Sequence, residues 1–370
     1  VFILSSYLGE CLVLTSIEME YRKLLLALMV AGLLGCGGGG SGGGGDLGSG
    51  DDVEDTVPEL PDDENEEPTD PPEGPTEPPE EPSEPDDEIG AVAGWDINQW
   101  KITLPVSESY YKEHFGVGSD LNDRDSAAEL IPADCAGKDT LTADTTLPYY
   151  VSHEGGRTHF IADLGDAGVA TTTNTKYTRS ELRGLYHYDT ESRCSASAQN
   201  WAIPDKANHN LSATLRVEQY PNVSEPKVIV GQVHGYRIKQ ALIKLQWDGP
   251  SKDFRAIINN DFELDDQLCD ASKCQPYSLR FEEVPAYEDF NYEIDVNATG
   301  IAITVNGVTQ SVAWGERIES GEAMSVLNPA WADATNEYYF KAGIYPQIEP
   351  ELNSGHVFDV SFSRIELTHE

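Results

Sequence analysis

Three short stretches place proton-carrying or cationic side chains at every second position. In Tyr177-Thr178-Arg179-Ser180-Glu181-Leu182-Arg183, an extended backbone puts Tyr177, Arg179, Glu181 and Arg183 on one face. In Val230-Gly231-Gln232-Val233-His234 it pairs Gln232 with His234. In Tyr338 to Gln347 it sets Tyr339, Lys341, Gly343, Tyr345 and Gln347 against an apolar face of Phe340, Ala342 and Ile344. Two guanidiniums with a Glu between them to hold their geometry make a clamp for a carboxylate. A solvated salt-bridge ladder gives the same pattern when the first stretch is taken alone, and a lone His is more often structural. The three stretches together carry Arg, Gln, His and Tyr without a pair of catalytic acids. Glycoside hydrolysis wants two carboxylates across the bond. A serine hydrolase wants a nucleophile elbow, and the β-rich region has no G-x-S-x-G. β-Elimination on a uronic acid fits the set better. Arg and Gln would neutralise the substrate carboxylate and acidify the neighbouring C5 proton. Tyr or His would remove that proton and protonate O4 as the glycosidic bond breaks. No metal or cofactor is required when side chains neutralise the carboxylate.

The elements that must position these residues are strands. From Trp95 onward, segments such as Leu211 to Gln219, Lys227 to His234, Phe254 to Asn259, Asn291 to Val296 and Ile301 to Val305 are short and β-rich. Gly, Asn, Asp and Pro turn signals separate them. Asn297-Ala298-Thr299-Gly300 joins two well-alternating strands, and Asn306-Gly307 is a strong hairpin signal. Long amphipathic helices are absent from the pattern, with Ser320 to Leu327 as one candidate for a short helix. The expectation is an all-β sandwich of two antiparallel sheets with a polar groove on one of them.

The charge of -41 over 370 residues is unevenly distributed. Asp46 to Glu88 holds twenty Asp and Glu and no Lys or Arg. Such a segment cannot bury enough apolar surface to offset the entropy of ordering, so it reads as a disordered linker. At roughly 3 Å per residue it would reach on the order of 100 Å. The remaining region is also acidic, which argues against nucleic acid as a partner. A polyanion would have to be held there by a local basic patch.

The N-terminal region reads as export machinery. Residues 1–18 precede Met19 and look like translated upstream sequence. Arg22 and Lys23 are followed by an apolar run from Leu24 to Leu34, too short for a comfortable membrane span. Leu33-Leu34-Gly35-Cys36 resembles a bacterial lipobox, which makes 19–35 a lipoprotein signal peptide and Cys36 the lipidation site. A lipid anchor would hold the protein on a membrane that it does not span. This predicts an exported monomer on the outer membrane, at the cell surface or secreted. Residues 36–90 are then the Gly/Ser-rich and acidic Pro-rich tether, and 91–370 the functional domain. Of the remaining cysteines, Cys269 with Cys274 and Cys135 with Cys194 are candidate disulfides. Their spacing argues against a metal site. The acidic run from Asp261 to Asp266 reads as a solvated loop rather than a calcium site.

The three stretches, in their order along the chain, resemble the signature motifs of polysaccharide lyase family 7, the alginate lyases. Trp95-Asp96-Ile97-Asn98-Gln99-Trp100-Lys101-Ile102-Thr103-Leu104-Pro105 resembles the family's domain opening, and Thr171-Thr172-Thr173-Asn174 the lead-in to its first motif. The resemblance spans roughly 91 to 370. It implies a β-jelly roll whose concave sheet forms the cleft, and an anionic polysaccharide, alginate, as substrate. It also implies that Arg179 and Gln232 neutralise the carboxylate with help from His234. Tyr345 would be the general acid, and also the base where the departing proton lies on the side of the leaving oxygen. His234 would be the base for the opposite stereochemistry. Arg183, Lys341 and Gln347 would bind neighbouring sugars, and Glu181 would position the arginines. Pro346 stands where the family usually has Asn, and Gly184-Leu185 where Glu-Met is common. Val233 in the second motif points to mannuronate.

Three other readings compete. A related polyuronate such as glucuronan would use the same chemistry. A non-catalytic carbohydrate-binding jelly roll would not need Tyr345 and His234 beside Arg179 and Gln232. A jelly-roll endoglucanase would carry E-x-D-x-x-E, and here Glu293-Ile294-Asp295 is followed by Ala298 at the last acid position.

Overall fold

Alternation of apolar and polar residues builds most of the outer strands. His209–Gln219 buries every second residue, and so does Phe290–Asn297. Both present one face to a core and one to solvent. The computed structural model describes residues 99–115, 125–132, 140–141, 152–173, 175–190, 198–320 and 323–370. Segments 1–18, 19–35 and 36–90, the lipidation candidate Cys36, and Cys135 and Cys194 lie outside the described residues.

In chain order the strands are β1 (Trp100–Ser107), β2 (Ala127–Pro132), β3 (Thr140–Leu141), β4 (Ser152–Glu154), β5 (Arg157–Asp163), β6 (Ser180–Gly184), β7 (His209–Gln219), β8 (Val228–Gly235) and β9 (Ala241–Trp247). They continue with β10 (Asp253–Ile258), β11 (Tyr277–Glu283), β12 (Phe290–Asn297), β13 (Gly300–Val305), β14 (Val308–Ala313), β15 (Arg317–Ser320), β16 (Ala323–Val326), β17 (Tyr338–Pro346) and β18 (Val357–His369). Among the described residues one α-helix, α1 (Glu108–Phe115), follows β1. Nine strands form one sheet in the order β11-β10-β9-β8-β17-β6-β1-β2-β3, and seven form the other in the order β14-β13-β12-β7-β18-β5-β4. Pairing is antiparallel except for the short β2–β3 contact. The fold is an all-β jelly-roll sandwich. β15 and β16 make a separate two-stranded hairpin. This corrects the short helix expected over Ser320 to Leu327: the backbone pairs there as β16 rather than coiling.

The core lies between the two large sheets. Trp100, Trp247, Phe254, Phe340, Phe160, Phe358 and Tyr292 are wholly buried in it or nearly so. Tyr292 reaches from β12 to donate its hydroxyl to the Val230 carbonyl of β8 at 3.0 Å. That approach requires glycine next door, since a Cβ at Gly231 would lie 2.7 Å from the Tyr292 oxygen. Asn306 and Gly307, both at positive φ, make the two-residue turn between β13 and β14.

The central strands of the nine-stranded sheet behave differently from the outer ones. Every residue of β6, β8, β9 and β17 is buried, including those on the face turned away from the core. The polar side chains of those strands are therefore removed from water and must find partners within the protein.

Candidate active site

Antiparallel register assembles the site. Lys101 of β1 lies opposite Arg183 of β6, Arg183 opposite Lys341 of β17, Lys341 opposite Gln232 of β8, and Gln232 opposite Lys244 of β9. Five neighbouring strands thus present one row of four cations and an amide. At about 4.8 Å between strands the row spans about 19 Å. A second rank places Thr103 opposite Glu181 and Glu181 opposite Gly343. Tyr339 sits opposite His234, with the two rings stacked 5.4 Å apart.

Glu181 is the hub of this face. Its carboxylate accepts from Arg179 Nη1 at 3.1 Å, from Lys341 Nζ at 2.8 Å, and from Gln232 Nε2 in a short contact. Burial opposes its charged form, but Lys341 and Arg179, with hydrogen bonds from Lys341 and Gln232, outweigh that cost and hold the carboxyl below its usual range. For Lys341 the balance runs the other way. Burial first, then the Arg179 charge, pull its ammonium from 10.5 to about 8 against the attraction of Glu181. Lys101 is also pulled down, mainly by burial, while its 3.1 Å pairing with Glu129 opposes the shift.

Arg179 precedes β6 rather than lying within it. The segment leading to it is tied down by Thr178, whose hydroxyl approaches the Ala170 carbonyl at 2.6 Å and the Pro105 carbonyl at 3.1 Å. The Arg179 guanidinium lies over the Tyr345 ring, 3.9 Å from its centroid. Arg183 is held differently from the sequence expectation. It is anchored by Asn200 Oδ1, at 2.6 Å from Nη2, and by the Tyr339 ring, 4.1 Å away. Glu181 therefore fixes Arg179, Lys341 and Gln232, and Asn200 takes the carboxylate's expected place beside Arg183.

The third motif does not run as one uninterrupted alternating strand. The β17–β8 register slips between Ala342 and Tyr345, with Gly343 at φ +122°. A Cβ there would meet the Ser180 carbonyl oxygen at 2.6 Å. This bulge seats Tyr345 against Arg179 and brings its hydroxyl to 2.7 Å from Thr175 Oγ1. Gln347 falls just beyond β17, where its amide donates to the Tyr345 carbonyl at 3.1 Å. His234 donates from Nδ1 to the Gly235 carbonyl at 2.9 Å, so in the neutral ring Nε2 carries the lone pair. Arg179, Gln232, His234 and Tyr345 are all almost wholly buried.

Several members of the cluster were not singled out by sequence reasoning as site residues. Lys101 and Thr103 alternate on β1, a period that carried the signal, but Lys244, Glu129 and Asn200 needed the strand order. Thr175 follows directly on the lead-in recognised in the sequence. Among the described residues no group of three or more His, Cys, Asp or Glu side chains is placed to hold a metal. Cys269 and Cys274 are joined in a disulfide at the surface.

A family model described as alginate lyase matches residues 95–369. The chain belongs to the alginate lyase family. This lyase is 23% identical over 302 residues to an alginate lyase of Klebsiella pneumoniae, covering 74% of this chain and 89% of that one. Its fold is shared with the crystal structure of alginate lyase A1-II', a member of polysaccharide lyase family-7, at 21% identity and a TM-score of 0.52. That match covers 75% of this chain and 96% of the other. The crystal structure of the alginate lyase from Klebsiella pneumoniae also gives a TM-score of 0.52, at 18% identity, covering 75% and 97%. The lyase is accordingly a polysaccharide lyase with a polyuronate substrate.

Proposed function

We propose that the lyase cleaves alginate by β-elimination at the buried cluster on the nine-stranded sheet. The observation that carries this reading is that Glu181 binds both Arg179 and Gln232, with Tyr345 beneath the Arg179 guanidinium and His234 two residues beyond Gln232 on the same strand. Gln232 Nε2 has two hydrogens; Glu181 takes one, and the other is available to a substrate carboxylate. With Arg179 it neutralises the uronate and stabilises the charge that develops as C5 loses its proton. The C5–H electron pair forms the C4–C5 double bond, the C4–O bond breaks, and O4 takes a proton. Tyr345 supplies that proton. Tyr345 or His234 Nε2 accepts the C5 proton, according to the side of the ring from which it leaves. Arg183, Lys341, Lys101 and Lys244 bind the carboxylates of neighbouring sugars, and Gln347 acts from outside the row.

Mannuronate is the uronate proposed first. Val233 packs into the core between the sheets, so any influence on the sugar acts through the seating of its neighbours Gln232 and His234. A glucuronan lyase would use the same groups. The lyase is proposed to act as a monomer tethered through Cys36 by an exported lipid anchor. The lipobox-like Leu33-Leu34-Gly35-Cys36 and the acidic tether support this.

The test offers polymannuronate, polyguluronate and glucuronan without added metal and follows the ultraviolet absorbance of the new double bond. Absorbance is expected to rise on polymannuronate and to disappear in Tyr345→Phe. Binding to a polymer with no absorbance rise on any of the three would replace this reading with a carbohydrate-binding module.

A further inference from the structure

Tyr345 is the acid of the proposed reaction, and its oxygen has one neighbour with no role so far. Thr175 Oγ1 lies 2.7 Å from Tyr345 Oη. The same Oγ1 accepts the backbone N–H of Tyr177 at 3.1 Å, which holds the oxygen in place while leaving its own hydrogen free to rotate. The segment is clipped down just after it: Lys176 Nζ pairs with Glu349 at 2.6 Å, and Thr178 is tied to two backbone carbonyls. Thr175 is therefore held against a phenol that is itself wholly buried.

We propose that Thr175 is a positioning residue for Tyr345, a hydroxyl that follows the phenol's proton. This rests on the reading of Tyr345 as the proton carrier. With the phenol neutral, Thr175 accepts its O–H. When the phenolate forms, the threonine hydroxyl rotates about Cβ–Oγ and donates to it. The bond donated to the anion is charge-assisted and stronger than the one accepted from the neutral phenol, so the difference favours the phenolate. Two further groups pack against the ring itself. Arg179 lies over the ring face, 3.9 Å from its centroid, and Tyr177 meets the ring edge-on at 6.1 Å. Glu181 pairs with both Arg179 and Lys341.

The experiment compares Thr175→Val, which keeps the shape and removes the hydroxyl, with Thr175→Ser, which keeps the hydroxyl. Both are made in the full chain and assayed on polymannuronate across pH. Thr175→Val is expected to lose about tenfold or more in kcat, the scale of one lost hydrogen bond, with KM within about twofold. Its pH profile should move to the alkaline side, and Thr175→Ser should restore both kcat and profile. A second readout does not depend on turnover. Ultraviolet difference titration of each protein against its Tyr345→Phe counterpart isolates the ionisation of Tyr345, which should move to higher pH in Thr175→Val alone. Equal titrations in wild type and Thr175→Val would overturn the proposal. So would a Thr175→Ser as impaired as Thr175→Val at an unchanged pH profile, which marks a role in loop structure only. A wild type that cleaves nothing overturns the lyase mechanism, and the titration still decides the role of Thr175.

Discussion

Replacing Lys341 with Met should make the lyase more stable and much less active. Lys341 is 6% exposed, and its ammonium is held at about 8 instead of 10.5. Burial is the larger cause, followed by Arg179, and Glu181 recovers only part of the loss. Keeping the group charged at neutral pH therefore costs on the order of 3 kcal/mol. The sign follows from proton counts. Between about 8 and 10.5 the unfolded chain holds the proton that the folded chain has released, so stability rises with pH through that window. The destabilisation is present in full below about 8 and is gone above 10.5. Met is close to Lys in length, and an imperfect apolar fit costs less than about 1.5 kcal/mol. Glu181 keeps Arg179 and Gln232 as partners, so its charge is not stranded. The net gain at pH 7 is about 2 kcal/mol, or about 4 °C in Tm for a domain of this size. Activity should fall because the row loses a cation beside the reacting sugar. Thermal melts and urea midpoints at pH 7 and pH 10, alongside kcat/KM on polymannuronate, provide the assay. A Tm for Lys341→Met below that of wild type at pH 7 would refute the reasoning. So would a stability gap that fails to narrow between pH 7 and pH 10.

Two further perturbations probe the frame around the site. His209 and His369 face each other across β7 and β18 with their Nδ1 atoms 2.7 Å apart, and His209 Nε2 lies 3.3 Å from the Ile203 carbonyl. That geometry accommodates a single proton between the rings. Burial holds His369 at about 3 and lowers His209 as well. The unfolded chain therefore takes up protons first as pH falls from about 6.5, and stability should drop by up to about 1.4 kcal/mol per pH unit for each such histidine. His369→Gln should flatten this acid limb in urea melts at pH 6, 5 and 4; an unchanged slope would remove the pair as its source. Gly343→Ala forces a side chain into φ +122° and into the Ser180 carbonyl. It should cost roughly 1–3 kcal/mol and reduce kcat, because the bulge that seats Tyr345 must shift. A urea midpoint and kcat equal to those of wild type would show that the bulge is dispensable.

Much of this molecule was legible without coordinates. The two-fold alternation at β7, β12 and β13 follows from burying one face of a strand, so those elements could be read from the order of apolar residues. The same period placed Arg179, Glu181, Gln232, His234 and Lys341 on polar faces. The short helix expected over Ser320 to Leu327 failed because hairpin pairing with β15 overrode local pattern. Gln347 was counted one position too far along a strand that ends at Pro346.

By itself the sequence determined which side chains share a face of each strand, because that depends only on the backbone repeat within the strand. It could not say which strands are neighbours. β6, β8 and β17 are separated by long stretches of chain, yet hydrogen-bonded register sets Arg183, Lys341 and Gln232 side by side. Only that non-local pairing decided that Glu181 anchors Arg179, Lys341 and Gln232 while Asn200 holds Arg183. Only the bulge at Gly343 decided that Tyr345 meets both Arg179 and Thr175. These contacts arise from strand order and register across the sheet, and no spacing along the chain encodes them.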